Sequence, residues 1–476
     1  MLIIGNTAII RYNLMKKTGG GFMQNIIFPK DFVWGAATAS YQIEGGVKED
    51  RRGESIWDTF CRIPGKIFNG HNGDVACDHF HRYKDDVKLM KELGLKAYRF
   101  SVAWPRVFPQ GRGSVNLKGL EFYRRLTNEL KENGIEPYVT LYHWDLPQAL
   151  QDLGGWDRRD IADDFAEYSM MMYNSLGDIV KKWFTFNEPW CTSFLGYAYG
   201  VHAPGIVDPA AAVRASHNIM LSHAKAVEAY KGSKHNDGKV GIVLNIAPVY
   251  PKTDTDRDRL AAANYDGYCN RWFFDCCFLG RYPEDILKIY QNALKAPVIR
   301  NGDMELISSN RASILGVNYY TRTIVSSNLI SDSFTGRILK FRECRPDGPV
   351  TEMGWEIYPQ AFYDFLERVR TTYGNPETYI TENGAAFPDK NIIDGMIDDA
   401  DRIEYLKQHI STAYKAMRDG LDLRGYFVWS LMDNFEWAHG YSKLFGITHV
   451  DYGTQKRTFK KSALWYRELI RTNTLT

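Results

Sequence analysis

The chain reads as an α/β protein, a single (β/α)8 barrel with extended βα loops. Three observations predict it. From about Phe28 onward, eight short strand-like runs alternate with amphipathic helical stretches, the pattern of a parallel sheet wrapped by helices. No Ser/Gly-rich linker divides them, so the 476 residues fit one large barrel with long loops better than two or three ordinary domains. Almost every strand also ends in polar or aromatic residues, and the carboxyl ends of the strands are where such barrels place their chemistry.

Residues 1–22 stand apart. Apolar Met1–Ile4 and Ala8–Ile10 are broken by Asn6, Arg11 and Asn13, and Lys16-Lys17 follow rather than precede them, the reverse of a secretory leader. Gly19–Gly21 reads as a flexible join. The stretch is expected to be a disordered extension without function, with the catalytic barrel spanning 23–476. The expected strands are Phe32–Ala39, Ala97–Val102, Glu136–Tyr142, Trp183–Phe186, Lys239–Asn245, Ile314–Tyr319, Thr378–Thr381 and Gly425–Ser430. Between them, Phe80, Tyr83, Val87 and Met90 recur at helical spacing. Ile403, Leu406, Ile410, Ala413 and Met417 do the same before Asp419-Gly420 ends that helix.

Two strand ends match. Trp183-Phe184-Thr185-Phe186 alternates aromatic and β-branched residues and stops at Asn187-Glu188-Pro189, since Pro189 has no N–H for a ladder. Tyr379-Ile380-Thr381 leads into Glu382-Asn383-Gly384, with the glycine expected to turn the chain. Either glutamate alone reads as a strand-end charge facing water. As a pair at the carboxyl ends of two strands, they are what hydrolysis of a glycosidic bond requires. The other ends supply Gln42-Ile43-Glu44, Arg99, His143-Trp144, Asn245, Asn318-Tyr319-Tyr320 and Trp429, groups that bond hydroxyls or stack on a sugar ring.

Composition excludes several classes. A net charge of +2, from 59 basic and 57 acidic residues, gives no reason to propose nucleic acid or an anionic membrane as partner. No run of about 18 apolar residues predicts a membrane span. Seven cysteines, Cys61, Cys77, Cys191, Cys269, Cys276, Cys277 and Cys344, are an odd number without paired spacing and suggest reduced thiols in the cytoplasm. No cofactor or metal is expected. His71, Cys77, Asp78, His79 and His81 match no strong zinc spacing, and His79 and His81 flank Phe80 at a helix start and so point apart. They read as structural. Gly111-Arg112-Gly113 lacks the Gly-Lys-Ser/Thr of a phosphate loop. Cys276-Cys277 reads as core, and Arg457 with Lys460-Lys461 as a solvated face.

Thr185-Phe186-Asn187-Glu188-Pro189 and Ile380-Thr381-Glu382-Asn383-Gly384 resemble the acid/base and nucleophile motifs of glycoside hydrolase family 1, the β-glucosidase family. The likeness extends through Phe32–Gly45, Tyr98–Ser101, Tyr142–Pro147, Asn318–Tyr320 and Trp429–Trp437, from about Ile27 to about Ile470. It implies Glu188 as general acid/base and Glu382 as nucleophile, oriented by Arg99 and Tyr320. Asn187 would take the sugar 2-hydroxyl, and Gln42, His143, Glu436 and Trp437 the remaining hydroxyls. Trp429 would underlie the ring, with the following peptide often cis in the family, and Trp355 would sandwich the aglycone. Asn318 and Phe445 would complete the substrate-binding set.

The implied activity is exo-hydrolysis of β-glucosides such as cellobiose, short cello-oligosaccharides and aryl glucosides, with retention if the carboxyls stand about 5–5.5 Å apart. Glu436 argues against a 6-phosphosugar, because a carboxylate repels phosphate. Glu188, where a thioglucosidase would have glutamine, argues against thioglucosides. A β-galactosidase, a β-fucosidase, a transglycosylase and a non-catalytic carbohydrate-binding relative are the alternatives. Loops around 300–350 are expected to shape the aglycone side, and the sequence leaves monomer or homo-oligomer open.

Overall fold

The computed structural model describes residues 26–328, 331, 333–389, 392–393 and 396–476. The expected extension at 1–22 lies outside them. Eight parallel strands close into a barrel: β1 (Val33–Ala37), β2 (Ala97–Ser101), β3 (Glu136–Tyr142), β4 (Lys182–Asn187), β5 (Lys239–Ile246), β6 (Ile314–Tyr319), β7 (Glu377–Asn383) and β8 (Leu423–Trp429). They pair in chain order, and β8 returns to β1 with Gly425 opposite Val33 and Trp429 opposite Ala37. All eight expected strands are present, with ends shifted by two residues or fewer.

The strands are buried on both faces, which explains their near-continuous apolar runs. Their outer side chains pack under helices whose apolar stripes match the expected periodicity, among them His79–Glu92 and Ala400–Arg418. The latter ends at Gly420, whose φ of +109° suits glycine. The longest helix among the described residues, Pro209–Lys231, opens on Asp208, whose carboxylate accepts from the backbone N–H groups of Ala210 and Ala211. The loops after β5 and β6 are long. Val249–Pro251, Thr323–Ser326 and Arg342–Cys344 form a small sheet above the carboxyl end of the barrel.

Both strands that lead to the glutamates are irregular at their ends. Pairing register shifts between Phe184 and Asn187 against β5, and between Ile380 and Glu382 against β6. An extra residue in a ladder re-aims the side chains beyond it, and here those are Glu188 and Glu382. Gly384 does not turn the chain as expected, for its φ is not positive. A Cβ there would lie 1.7 Å from the carbonyl oxygen of Trp429, so glycine is required by close approach of β8.

The expected solvated face at Arg457 and Lys460-Lys461 is corrected. Only Lys461 is exposed, facing Asp398. Arg457 is bound to Asp86, and Lys460 is fully buried, its Nζ 2.7 Å from Asp389 and 2.8 Å from Asp433. These carboxylates stand in for solvent, as a buried ammonium requires. His449, held up at about 9 by Asp389 and Asp433, faces the same cluster. His79 is buried against Asp86 and His81 is exposed, so the two rings do point apart. Cys276 and Cys277 are core.

Candidate active site

One large cavity, about 450 Å³, opens at the carboxyl end of the barrel. Glu188 and Glu382 both line it. Their surroundings differ, and the difference begins with Arg99 on β2. That side chain is fully buried in the barrel, where a guanidinium persists only if its N–H groups are satisfied. Its Nη1 donates to Glu382 Oε1 at 2.6 Å, its Nη2 to Asn187 Oδ1 at 2.8 Å and its Nε to Thr140 Oγ1 at 3.1 Å. Tyr320 O–H donates to the other oxygen of Glu382 at 2.6 Å. Glu382 therefore carries two short, charge-assisted bonds.

Glu188 has weaker partners. Asn318 Nδ2 donates to Oε1 at 2.8 Å, and the Cys191 thiol donates to Oε2 at 3.1 Å. Its backbone is left-handed (φ +48°), fixed by its N–H donating to Val243 O at 2.9 Å. Trp144 (φ +77°) and Trp437 (φ +47°) share that conformation, which costs a non-glycine residue on the order of 1 kcal/mol or more each.

Electrostatics separate the two acids. Burial and then the charge of Glu382 push Glu188 up to about 7. Burial raises Glu382 too, but Arg99 and Tyr320 pull against it. A proton shared between the two settles on Glu188, because Glu382 alone has a cation and a phenol aimed at its charged form. Burial, then the charges of Glu382 and Glu188, raises Glu436 to about 8, and its Oε2 has no partner. The same upward shift favours the protonated form of Glu436, which weakens the expected charge repulsion of a sugar phosphate. The arginine lining the cavity, Arg322, is committed to Glu356 by bonds of 2.7 and 3.0 Å and offers little to a phosphate.

The amide orientation of Asn187 follows from chemistry. Arg99 can only donate, so the atom it meets is the oxygen, and Nδ2 donates to His143 Nε2 at 3.1 Å. Burial and Arg99 hold His143 well below its usual range, so the ring is neutral. Accepting at Nε2, it carries its proton on Nδ1, a buried donor without a protein partner. Trp429 and Trp437 flank this ring at centroid distances of 6.0 and 5.9 Å, and the Trp429–Ser430 peptide is cis.

Most residues expected at the site meet there. His143, Asn187, Asn318, Tyr320, Trp355, Trp429, Glu436, Trp437 and Phe445 line the cavity with the two glutamates, and so does Asn245. Trp355 and Phe445 each pack against Tyr320. Arg99 lies beneath the wall. Gln42 is fully buried beside the Glu436 carboxyl, its Nε2 bound to Asn434 and to the carbonyl of Phe435 while Oε1 stays unpartnered.

Three strand-end residues face elsewhere. Glu44 bonds Arg106 and Tyr123, Tyr319 stacks on Phe362, and Asn383 is tied to Tyr405 and Tyr426. Cys191, Trp190, Tyr265, Arg322, Glu343 and Met353 line the cavity without having been singled out for it. The proline-ended Asn-Glu-Pro run could have drawn attention to Trp190 and Cys191 just after it. Tyr265 stands near the end of the helix Asp256–Asp266 and carries no local signal, Arg322 and Glu343 fall within the 300–350 stretch expected to shape the aglycone side, and Met353 lies just past it.

A closed eight-stranded barrel with paired carboxyls at its carboxyl end defines a (β/α)8 glycoside hydrolase. More narrowly, the chain belongs to glycosyl hydrolase family 1, whose profile matches residues 24–475. It is 48% identical over 455 residues to Beta-glucosidase A of Acetivibrio thermocellus, spanning 95% of this chain and 100% of that one. Among solved structures, the family 1 β-glucosidase of Thermotoga maritima superposes with a TM-score of 0.90 at 47% identity, covering 94% of this chain and 99% of that one. The Thermotoga maritima β-glucosidase has also been solved in complex with deoxynojirimycin, with a TM-score of 0.89 to this chain.

Proposed function

We propose that this protein is a retaining, exo-acting β-glucosidase that releases terminal non-reducing β-D-glucosyl residues from cellobiose, short cello-oligosaccharides and aryl β-glucosides. The β-glucosidase relatives at 47–48% identity support the activity. The observation that carries the mechanism is the unequal setting of the two carboxyls, one held by Arg99 and Tyr320 and the other raised to about 7.

Glu382 attacks the anomeric carbon while Glu188 passes its proton to the departing oxygen. The bond to the leaving group breaks, and a glucosyl ester of Glu382 forms. Esterification removes the negative charge that raised Glu188, so its affinity for a proton falls and it can take one from water. That water attacks the anomeric carbon, the ester bond breaks, and Glu382 leaves as carboxylate. The unpartnered Glu436 Oε2 and His143 Nδ1 are suited to sugar hydroxyls, and Gln42 positions the Glu436 segment. The buried floor favours a chain end over an internal linkage. Cytoplasmic location is supported by seven thiols, all unpaired. β-Galactosides and β-fucosides differ by a hydroxyl or two and are expected as weaker substrates.

Two measurements test the mechanism. Nuclear magnetic resonance of the first glucose released from an aryl β-glucoside should show the β anomer, and the α anomer would overturn retention. Glu382→Gly should lose hydrolysis by several orders of magnitude, and azide should restore turnover of an activated aryl glucoside with a glucosyl azide as product. A folded variant that azide does not rescue would remove Glu382 from the nucleophile role.

A further inference from the structure

Glu188 has one partner that can follow it through a change of protonation, and it is a sulfur. The Asn318 amide cannot. Its Oδ1 accepts from Thr381 Oγ1 at 2.8 Å, and its Nδ2 donates both to Asn187 Oδ1 at 3.0 Å and to Glu188 Oε1 at 2.8 Å. With both ends of the amide committed, Asn318 presents only N–H to Glu188. Cys191 stands on the other oxygen, three residues on, in the helical turn Cys191–Leu195 that begins where Glu188 leaves its strand. Burial keeps its sulfur a thiol. A thiol donates weakly and accepts weakly, whereas a hydroxyl does both strongly and a methyl group does neither.

We propose that Cys191 is a positioning residue for the proton donor, its thiol donating to Oε2 when Glu188 is a carboxylate and accepting from it when Glu188 is a carboxylic acid. No bond to sulfur forms or breaks. The S–H rotates away as the O–H arrives, the carboxyl group keeps one orientation, and the O–H swings from the sulfur to the departing oxygen as the glycosidic bond breaks. A weak donor also leaves the acid form stable near neutral pH, where a strong donor would stabilise the anion. This inference rests on Glu188 being the general acid/base.

The test is the alkaline limb of kcat/KM for cellobiose in the full-length enzyme and in Cys191→Ser and Cys191→Ala. Glu188 acts as acid when protonated, so activity falls as pH rises through its pKa. A serine hydroxyl, the better donor to the carboxylate, should move that limb down by about half a pH unit, and alanine should move it up by a similar amount. A thiol with a merely structural role would give limbs that coincide with the unsubstituted enzyme or shift in the same direction, and either result overturns the proposal. The 2,4-dinitrophenyl glucoside, whose leaving group needs no proton, separates the two readings. If Glu188→Ala spares formation of the glucosyl ester from it while the Cys191 limbs stay put, only the role of Cys191 fails. If Glu188→Ala loses both substrates equally, the acid/base reading fails with it.

Discussion

The floor of the cavity and its outer wall are built differently. The floor consists of His143, Asn187, Glu188, Asn318, Glu382 and Trp429, all buried and each at or just past the end of a barrel strand. The outer wall is Arg322, Met353 and Trp355, half-exposed, with exposed Glu343, all from the long loops after β6. On the floor, Asn187, Glu188, Asn318 and Glu382 are tied together and to Arg99 by hydrogen bonds, whereas on the wall Trp355 is held by ring contact with Tyr320 and Phe445, and Arg322 by its pair with Glu356. Groups that must meet a reacting atom within a fraction of an ångström sit on strands, and groups that choose among leaving groups sit on loops free to vary.

The sharpest way to break this division is Glu188→Ala. It should slow cellobiose cleavage by about 10²–10⁴-fold, the usual worth of a positioned proton donor, while barely affecting formation of the glucosyl ester from dinitrophenyl glucoside. The same residue sets the pH dependence. With Glu188 near 7, kcat/KM for cellobiose should fall as pH rises past about 7, and the variant's profile should lose that limb.

Next comes Lys460→Met, which reaches the floor through the segments that follow β7 and β8. Lys460 joins Asp389, in the segment after β7, to Asp433, in the segment between Trp429 and Glu436. Removing it leaves Asp389 and Asp433 with only the half-exposed His449 and the more distant Arg402 as cations, which should cost about 2–4 kcal/mol in denaturant unfolding. A loss below about 1 kcal/mol would mean that the floor does not depend on this cluster.

The smallest effect is expected at the wall. Trp355→Ala should lower kcat/KM for cellobiose by about tenfold through lost stacking on the aglycone, with the dinitrophenyl glucoside less affected. Equal loss on both substrates would place Trp355 functionally with the floor.

The same division explains what could be read in the sequence. Floor residues follow strands whose apolar runs are local and conspicuous, so Glu188, Glu382, His143 and Trp429 were visible from spacing and chemistry together. The direction in which a strand end points was not visible. Asn383 and Tyr319 look as suitable as their neighbours Glu382 and Tyr320, yet alternation along the strand turns them toward the helices. The register shifts before Glu188 and Glu382 arise from pairing between strands and leave no trace in either strand alone. Lys460 and Arg457 were misread for a related reason. Their carboxylate partners stand 27 and 371 positions away, beyond any local charge pattern. Cys191 lies beside a motif that was recognised, but its value depends on the atom it touches.

Gly384 has a consequence for the shape of the whole catalytic end. The strand carrying Glu382 and the tryptophan at the end of β8 are kept apart by nothing more than a hydrogen atom, since a methyl group would fall 1.7 Å from the Trp429 oxygen. That hydrogen works as a spacer gauge for the mouth of the barrel. Any larger substituent would act as a wedge, prising the strand that carries Glu382 away from Trp429 and widening the gap between them.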